Sequence, residues 1–148
     1  MAGPSTGALM FIAHRHGEMR LMAHLAGSGY DDLTLAQARL AARIGDHGTR
    51  ATELAEAAQV TKQTAGYLVD QLERAGYVER RPDPTDARAR PRSVKQTSRA
   101  LQQEARAVER EVEREWSRHL GPDRMATLHA LLVDLREVTD PWREEPGS

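Results

Sequence analysis

Lys62, Gln63 and Thr64 are consecutive, and Tyr67 follows within one helical turn. All four side chains carry polar atoms suited to reading a surface of donors and acceptors. A glutamine amide bonds adenine at two atoms at once, and a lysine bonds guanine or a phosphate. Thr61, just ahead, is a good N-cap, so a helix starting at Lys62 projects these residues from its N-terminal half. Ala65, Leu68, Val69 and Leu72 recur at helical spacing and are left to pack backward. A DNA major groove about 12 Å wide admits one such helix and meets its N-terminal residues.

A second cluster lies downstream. Pro82, Asp83, Pro84, Thr85 and Asp86 are strong turn formers, and Arg88, Arg90 and Arg92 lie near or beyond the tip of the hairpin they predict. Arginine suits a narrow minor groove, where the potential is most negative. Asp86, two residues before Arg88, is placed to hold that guanidinium by a charge-assisted bond. Arg50, ahead of a short helix, is placed to reach a phosphate. The alternative is a polar first turn and a solvated loop. The succession of helix, turn, helix and basic hairpin favours contact with DNA, while Tyr67 serves equally well at the edge of the core.

The charge distribution points the same way. The chain has 148 residues and a formal net charge of −1. Between Val60 and Ala100, nine basic residues face five acidic ones, so this segment carries +4 and the remainder −5. A basic centre with acidic flanks is expected of a DNA-contacting head on a separate scaffold. The absence of cysteine excludes disulfides, thiolate zinc sites and thiol redox sensing, and fits a reducing cytoplasm. No apolar run approaches the ~18 residues that span a bilayer, and Met1 to Gly7 does not read as a signal peptide. No pair among His14, His16, His24, His47, His119 and His129 has the four-residue helical spacing that suits one metal ion. No catalytic constellation or cofactor loop is recognisable. The expectation is a non-enzyme without metal or cofactor.

The elements that must position these residues are mostly helical. Leu9, Ile12, His16, Met19, Ala23 and Ala26 form one face of a helix over Gly7 to Ala26. Thr34 and Gln37 have capping-box spacing and start a second helix, with Ala36, Leu40, Ala41 and Ile44 as its stripe. Two short helices follow, over Thr52 to Ala58 and Lys62 to Arg74, joined by a turn at Gln59-Val60. Gly76 is placed to end the second of these in a left-handed conformation. Tyr77 to Arg81 and Arg92 to Gln96 read as the two strands of the hairpin. A long helix to Leu120 carries Leu101, Ala105, Val108, Val112, Trp116 and Leu120 on one face. A last helix starts at Pro122 and carries Met125, Leu128, Leu131, Leu132, Leu135 and Val138. These terminal stripes suit either an intramolecular bundle or a two-fold interface. The interface is favoured, because a winged unit of about fifty residues folds without three extra amphipathic helices.

The stretches ELAEAAQVTKQT (Glu53 to Thr64), LVDQLERAGYVERRPDPTDAR (Leu68 to Arg88) and the T-x-R-A-L opening of the next helix (Thr97 to Leu101) resemble the MarR family of multiple antibiotic resistance regulators. With the flanking helices the resemblance covers nearly the whole chain. It implies a mostly α protein with a small β-hairpin (α+β): a winged helix-turn-helix with N- and C-terminal dimerisation helices. The implied divisions are 1–30 for the first dimerisation helix, 31–97 for the DNA-binding domain and 98–148 for the C-terminal dimerisation helices. The implied function is a ligand-responsive repressor, acting as a cytoplasmic homodimer on a palindromic double-stranded operator. Carried over by position, the DNA contacts fall on Thr61, Lys62, Gln63, Thr64 and Tyr67, with Arg88 and Arg90 on the wing. Arg50, Arg81 and Asp86 are counted with them. By the same analogy a small-molecule effector meets His16, Met19, Arg39 and Trp116. Three places depart from the family pattern, one of them the stretch from Asp86 to Thr97, which is longer than the family's. Ala65-Gly66 replaces a β-branched residue and a hydroxyl, and Gln96 replaces an apolar residue before Thr97. The runner-up function is a winged module for protein–protein assembly, with its basic wing incidental.

Overall fold

The computed structural model describes residues 2–82 and 93–143. In chain order the elements are α1 (Thr6–Gly27), α2 (Leu35–Ala41), β1 (Thr49–Arg50), α3 (Ala51–Ala57), α4 (Lys62–Arg74), β2 (Val78–Arg81), β3 (Ser93–Gln96), α5 (Arg99–Leu120) and α6 (Pro122–Thr139). They form two compact units. One is built on residues up to Asp32 together with Gln102–Arg136, the other on Leu33–Leu101 with the chain from Glu137 onward.

In the first unit, α1 is capped by Ser5, whose hydroxyl accepts from the Ala8 N–H at 3.2 Å. Ion pairs tie α1 to α5. Arg20 reaches Glu115 at 2.6 Å and Glu111 at 3.3 Å, and His24 meets Glu104 at 2.5 Å. Val108 and Val112 of α5 are buried, as is Leu25 of α1. The sequence stripe of α1, by contrast, faces outward: Leu9, Ile12 and Met19 are all more than half exposed. α6 buries none of its residues, and Leu131 and Val138 stand 60% and 81% exposed. These helices satisfy their backbone internally but leave much of their apolar surface uncovered.

The second unit has an ordinary apolar core, including Leu33, Leu40, Ile44, Leu54, Leu68, Val69, Leu72, Val78, Val94 and Leu101. α2 opens with the predicted capping box: Thr34 Oγ1 accepts from the Gln37 N–H, and Gln37 Oε1 from the Thr34 N–H. This helix ends at Ala41, earlier than the sequence stripe suggests, and Ile44 is buried from the turn that follows. α3 and α4 are joined by the predicted tight turn. Gln59 takes the left-handed conformation there, at φ 57°, and the Val60 N–H donates back to the Ala55 carbonyl.

Gly76 ends α4 as expected, with φ 83° and the Tyr77 N–H bonded to the Leu72 carbonyl. The expected hairpin is part of a three-stranded antiparallel sheet in the order β1-β3-β2. Val78 pairs with Gln96 and Arg80 with Val94 on one side of β3, while Thr49 pairs with Val94 on the other. Two residues of β1 left no alternating signature in the sequence. Their pairing instead depends on Gly48, at φ 91°. A Cβ there would lie 2.7 Å from Ser93 Oγ and 3.3 Å from the Val94 carbonyl oxygen.

Candidate nucleic-acid interface

α4 separates its two faces cleanly. Ala65, Leu68, Val69 and Leu72 are buried against the second unit's core. Thr61, Lys62, Gln63, Thr64, Tyr67 and Asp70 are exposed. Burying each leucine or valine contributes roughly 1.5–3 kcal/mol, so this rear face fixes which residues remain in front.

The cap of α4 orders its first turn. Thr61 Oγ1 accepts from the Thr64 N–H at 3.0 Å and donates to Thr64 Oγ1 at 2.9 Å. The Thr64 hydroxyl then retains its own proton for an outside acceptor. Among the described residues, neither the Lys62 nor the Gln63 side chain meets a hydrogen-bond or ion-pair partner. Both sit at the positive end of a 13-residue helix. One turn on, Tyr67 is 62% exposed. Its hydroxyl accepts from Gln71 Nε2 at 3.0 Å, and Gln71 Oε1 accepts from the buried Gln37 of α2, also at 3.0 Å. The phenol is thus tethered while its O–H can still donate.

Arg80 is a residue that sequence reasoning missed. It projects from β2, and its guanidinium meets Asp70 Oδ1 at 2.7 Å and Glu73 Oε1 at 3.1 Å, with the Gly66 carbonyl oxygen at 3.4 Å. The Glu73 carboxylate also accepts from the Arg80 backbone N–H at 3.0 Å. This clasp fixes α4 to the sheet and neutralises acids on the helix front. Asp70 and Glu73, one turn apart, were the only hint of it in the sequence. Gln96, one of the three departures, donates from Nε2 to the Ala41 carbonyl at 2.8 Å. Its amide closes the C-terminal end of α2, a contact no apolar residue makes.

The other sequence candidates fall as follows. Arg50 is exposed at the start of α3. Arg81 is exposed at the end of β2 and pairs with Glu79. Asp86, Arg88 and Arg90 lie outside the described residues, as does Arg92. Of the effector candidates, His16 and Met19 are exposed on α1 and Trp116 is half-buried on α5, in the first unit. Arg39 is exposed on α2, in the second. An open groove of about 430 Å³ in the first unit is lined by Arg110, Glu113, Arg114, Met125 and His129, among others, and by none of those four.

Residues 31–89, which hold the helix-turn-helix and the start of the wing, match the family model described as the MarR family. Over this segment the chain is similar to the MarR family. The solved structures agree over nearly the full length. Wild-type MarR from E. coli, in its apo form, is 25% identical, with a TM-score of 0.66, covering 91% of this chain and 98% of its own. Another structure, of the multiple antibiotic resistance repressor MarR, is also 25% identical, with a TM-score of 0.69 and coverage of 90% and 96%. A Mycobacterium tuberculosis MarR family protein in complex with p-aminosalicylic acid is 26% identical, with a TM-score of 0.63 and coverage of 89% and 98%. No curated protein matches the chain. The MarR fold accounts for the mostly helical chain and its small antiparallel sheet, and for the placement of α4 and the wing in one unit.

Proposed function

We propose that this protein is a sequence-specific, double-stranded-DNA-binding transcriptional regulator, a ligand-responsive repressor that acts as a homodimer on a palindromic operator. The observation that carries the proposal is the front of α4. Lys62, Gln63, Thr64 and Tyr67 stand exposed on a helix whose other face is fixed in the core. In the major groove Gln63 and Lys62 address base edges, while Thr64 and Tyr67 donate to phosphates or bases. Thr61 orders the turn, Arg50 and Arg81 flank it, and Arg88 and Arg90, steadied by Asp86, enter the adjacent minor groove.

The homodimer is supported by the exposed apolar side chains of the first unit, among them Leu9, Phe11, Ile12, Leu131 and Val133. An apolar surface of this extent calls for a partner, and a two-fold partner gives a second α4 for the second half-site. Residues 1–30 and 98–148 then serve dimerisation and 31–97 serves DNA. An aromatic carboxylate is the effector class suggested by the salicylic and p-aminosalicylic acid complexes of the mycobacterial relative. His16, Met19, Arg39 and Trp116 are its candidate contacts. It acts only if it binds the DNA-competent and incompetent forms unequally. Among the described residues no helix is long and apolar enough to cross a membrane, and a regulator of DNA has its place in the cytoplasm.

Selection of bound fragments from the parent genome tests the proposal and yields operator and neighbouring genes together. Recovery of one palindromic motif is the expected result, with Gln63→Ala relaxing preference at particular base pairs. No retarded fragment at low salt, or a monomer at micromolar concentration in sedimentation, overturns it.

A further inference from the structure

Gly66 sits fifth in the 13-residue α4, where glycine is unfavourable relative to alanine. Among the described residues nothing asks for it. Its φ is not in the left-handed region, and a Cβ built on it meets no atom within 4 Å among the described residues. The described fold therefore gives no reason for a glycine here, and the outer surface of the helix is the place to look for one.

Its position says where. Gly66 is three residues after Gln63 and four after Lys62, and it lies half-buried on the flank of the face they share. The surroundings are held in place. Arg80 donates to the Gly66 carbonyl and pairs with Asp70, and the Tyr67 hydroxyl is tethered to Gln71. The missing side chain thus leaves open space beside ordered neighbours. The N-terminal residues of a recognition helix meet base edges, and Gly66 lies in the N-terminal half of α4.

We propose that Gly66 is a specificity-determining residue whose missing side chain makes room for the 5-methyl group of a thymine in the major groove. The inference rests on the DNA-binding role proposed above. The thymine methyl is the apolar, bulky feature of the major-groove edge. Positions three apart on a helix lie about 5–6 Å from each other. Gly66 therefore faces the base pair that Gln63 addresses or its immediate neighbour. A glutamine bonded to adenine at an A·T pair brings that pair's thymine methyl to the same groove edge.

The test compares wild type and Gly66→Ala on the selected operator, and on copies with each thymine singly replaced by uracil, which lacks only the methyl. The expected variant has a thermal midpoint raised by about 3 °C and binds the operator about tenfold more weakly. Uracil at one position in each half-site restores most of that loss. Equal affinity of the two proteins overturns the proposal, as does a loss that no uracil relieves. A lowered thermal midpoint also overturns it, because glycine is then required by the fold. If wild type retains no fragment at all, the regulator role itself has failed, which is a distinguishable result.

Discussion

Arg80→Ala tests how α4 is held on the sheet. The guanidinium makes two ion pairs, to Asp70 at 2.7 Å and Glu73 at 3.1 Å, with its side chain 29% exposed. Partly exposed pairs are each worth about 0.2–1 kcal/mol. The aliphatic stem adds packing that alanine loses. Together these give about 1–2 kcal/mol of destabilisation on Arg80→Ala. The two acids are not equivalent, however. Asp70 meets only the guanidinium in this clasp, while Glu73 also accepts the Arg80 backbone N–H. Glu73→Ala is therefore expected to cost more than Asp70→Ala, by about the 1 kcal/mol of one further hydrogen bond.

Urea unfolding of Arg80→Ala, Asp70→Ala and the double variant measures the coupling directly. A coupling energy of about 0.5–1 kcal/mol with unchanged m is expected. DNA affinity supplies a second readout. With Arg80 gone, Asp70 and Glu73 stand uncompensated on the face proposed to meet DNA, so binding is expected to weaken and Asp70→Asn in that background to recover part of the loss. A coupling below about 0.2 kcal/mol, or Asp70→Ala matching Glu73→Ala, would refute the clasp. Recovery absent while the salt slope falls by about one would make Arg80 a direct phosphate contact instead.

Three further outcomes follow from the same geometry. Gly48→Ala should destabilise the fold by about 2–3 kcal/mol, combining a left-handed backbone with a Cβ 2.7 Å from Ser93 Oγ; a thermal melt within a degree of wild type would remove the reason given for this glycine. Gln37→Ala breaks both the capping box and the bond to Gln71, at about 1–2 kcal/mol by urea titration, and an unchanged denaturation midpoint would contradict it. Glu115 has its carboxyl held below the usual range, chiefly by the hydrogen bond from Arg20. A depressed acid pKa gives stability that is present above the ordinary carboxylate range and lost as pH falls through the lowered value. Arg20→Met should therefore flatten the acid limb of the stability–pH curve, and an identical limb in both proteins would count against the pair.

The legible and illegible parts of this chain divide along physical lines. α4 was legible to the residue, because three local signals coincide there: the Thr61 cap, the apolar spacing of Ala65, Leu68, Val69 and Leu72, and the left-handed Gly76. Each depends on neighbours within a few positions. β1 was not legible, because a two-residue strand carries no period and exists only through Val94 and Ser93, more than forty positions away. The Arg80 clasp was missed for a related reason. A positive residue in a basic segment reads as a DNA contact until the fold sets two carboxylates beside it.

The same contrast bears on the front of α4. Charge counting alone would add Arg80 to the cations offered to DNA, and the structure takes it away by pairing it with Asp70 and Glu73. What remains there is a small polar set, Lys62, Gln63, Thr64 and Tyr67, beside Gly66. Under the proposed function, such a front relies on few base contacts and a close fit for its specificity, and leaves much of the backbone affinity to Arg88 and Arg90. Substitutions on α4 should therefore change which sequence is bound more than how strongly DNA is held overall. Arg88→Ala should do the reverse, weakening binding across all sequences and flattening its salt dependence. If fluorescence anisotropy on matched specific and scrambled duplexes showed the two classes of variant losing affinity alike, this division of labour between helix and wing would be wrong.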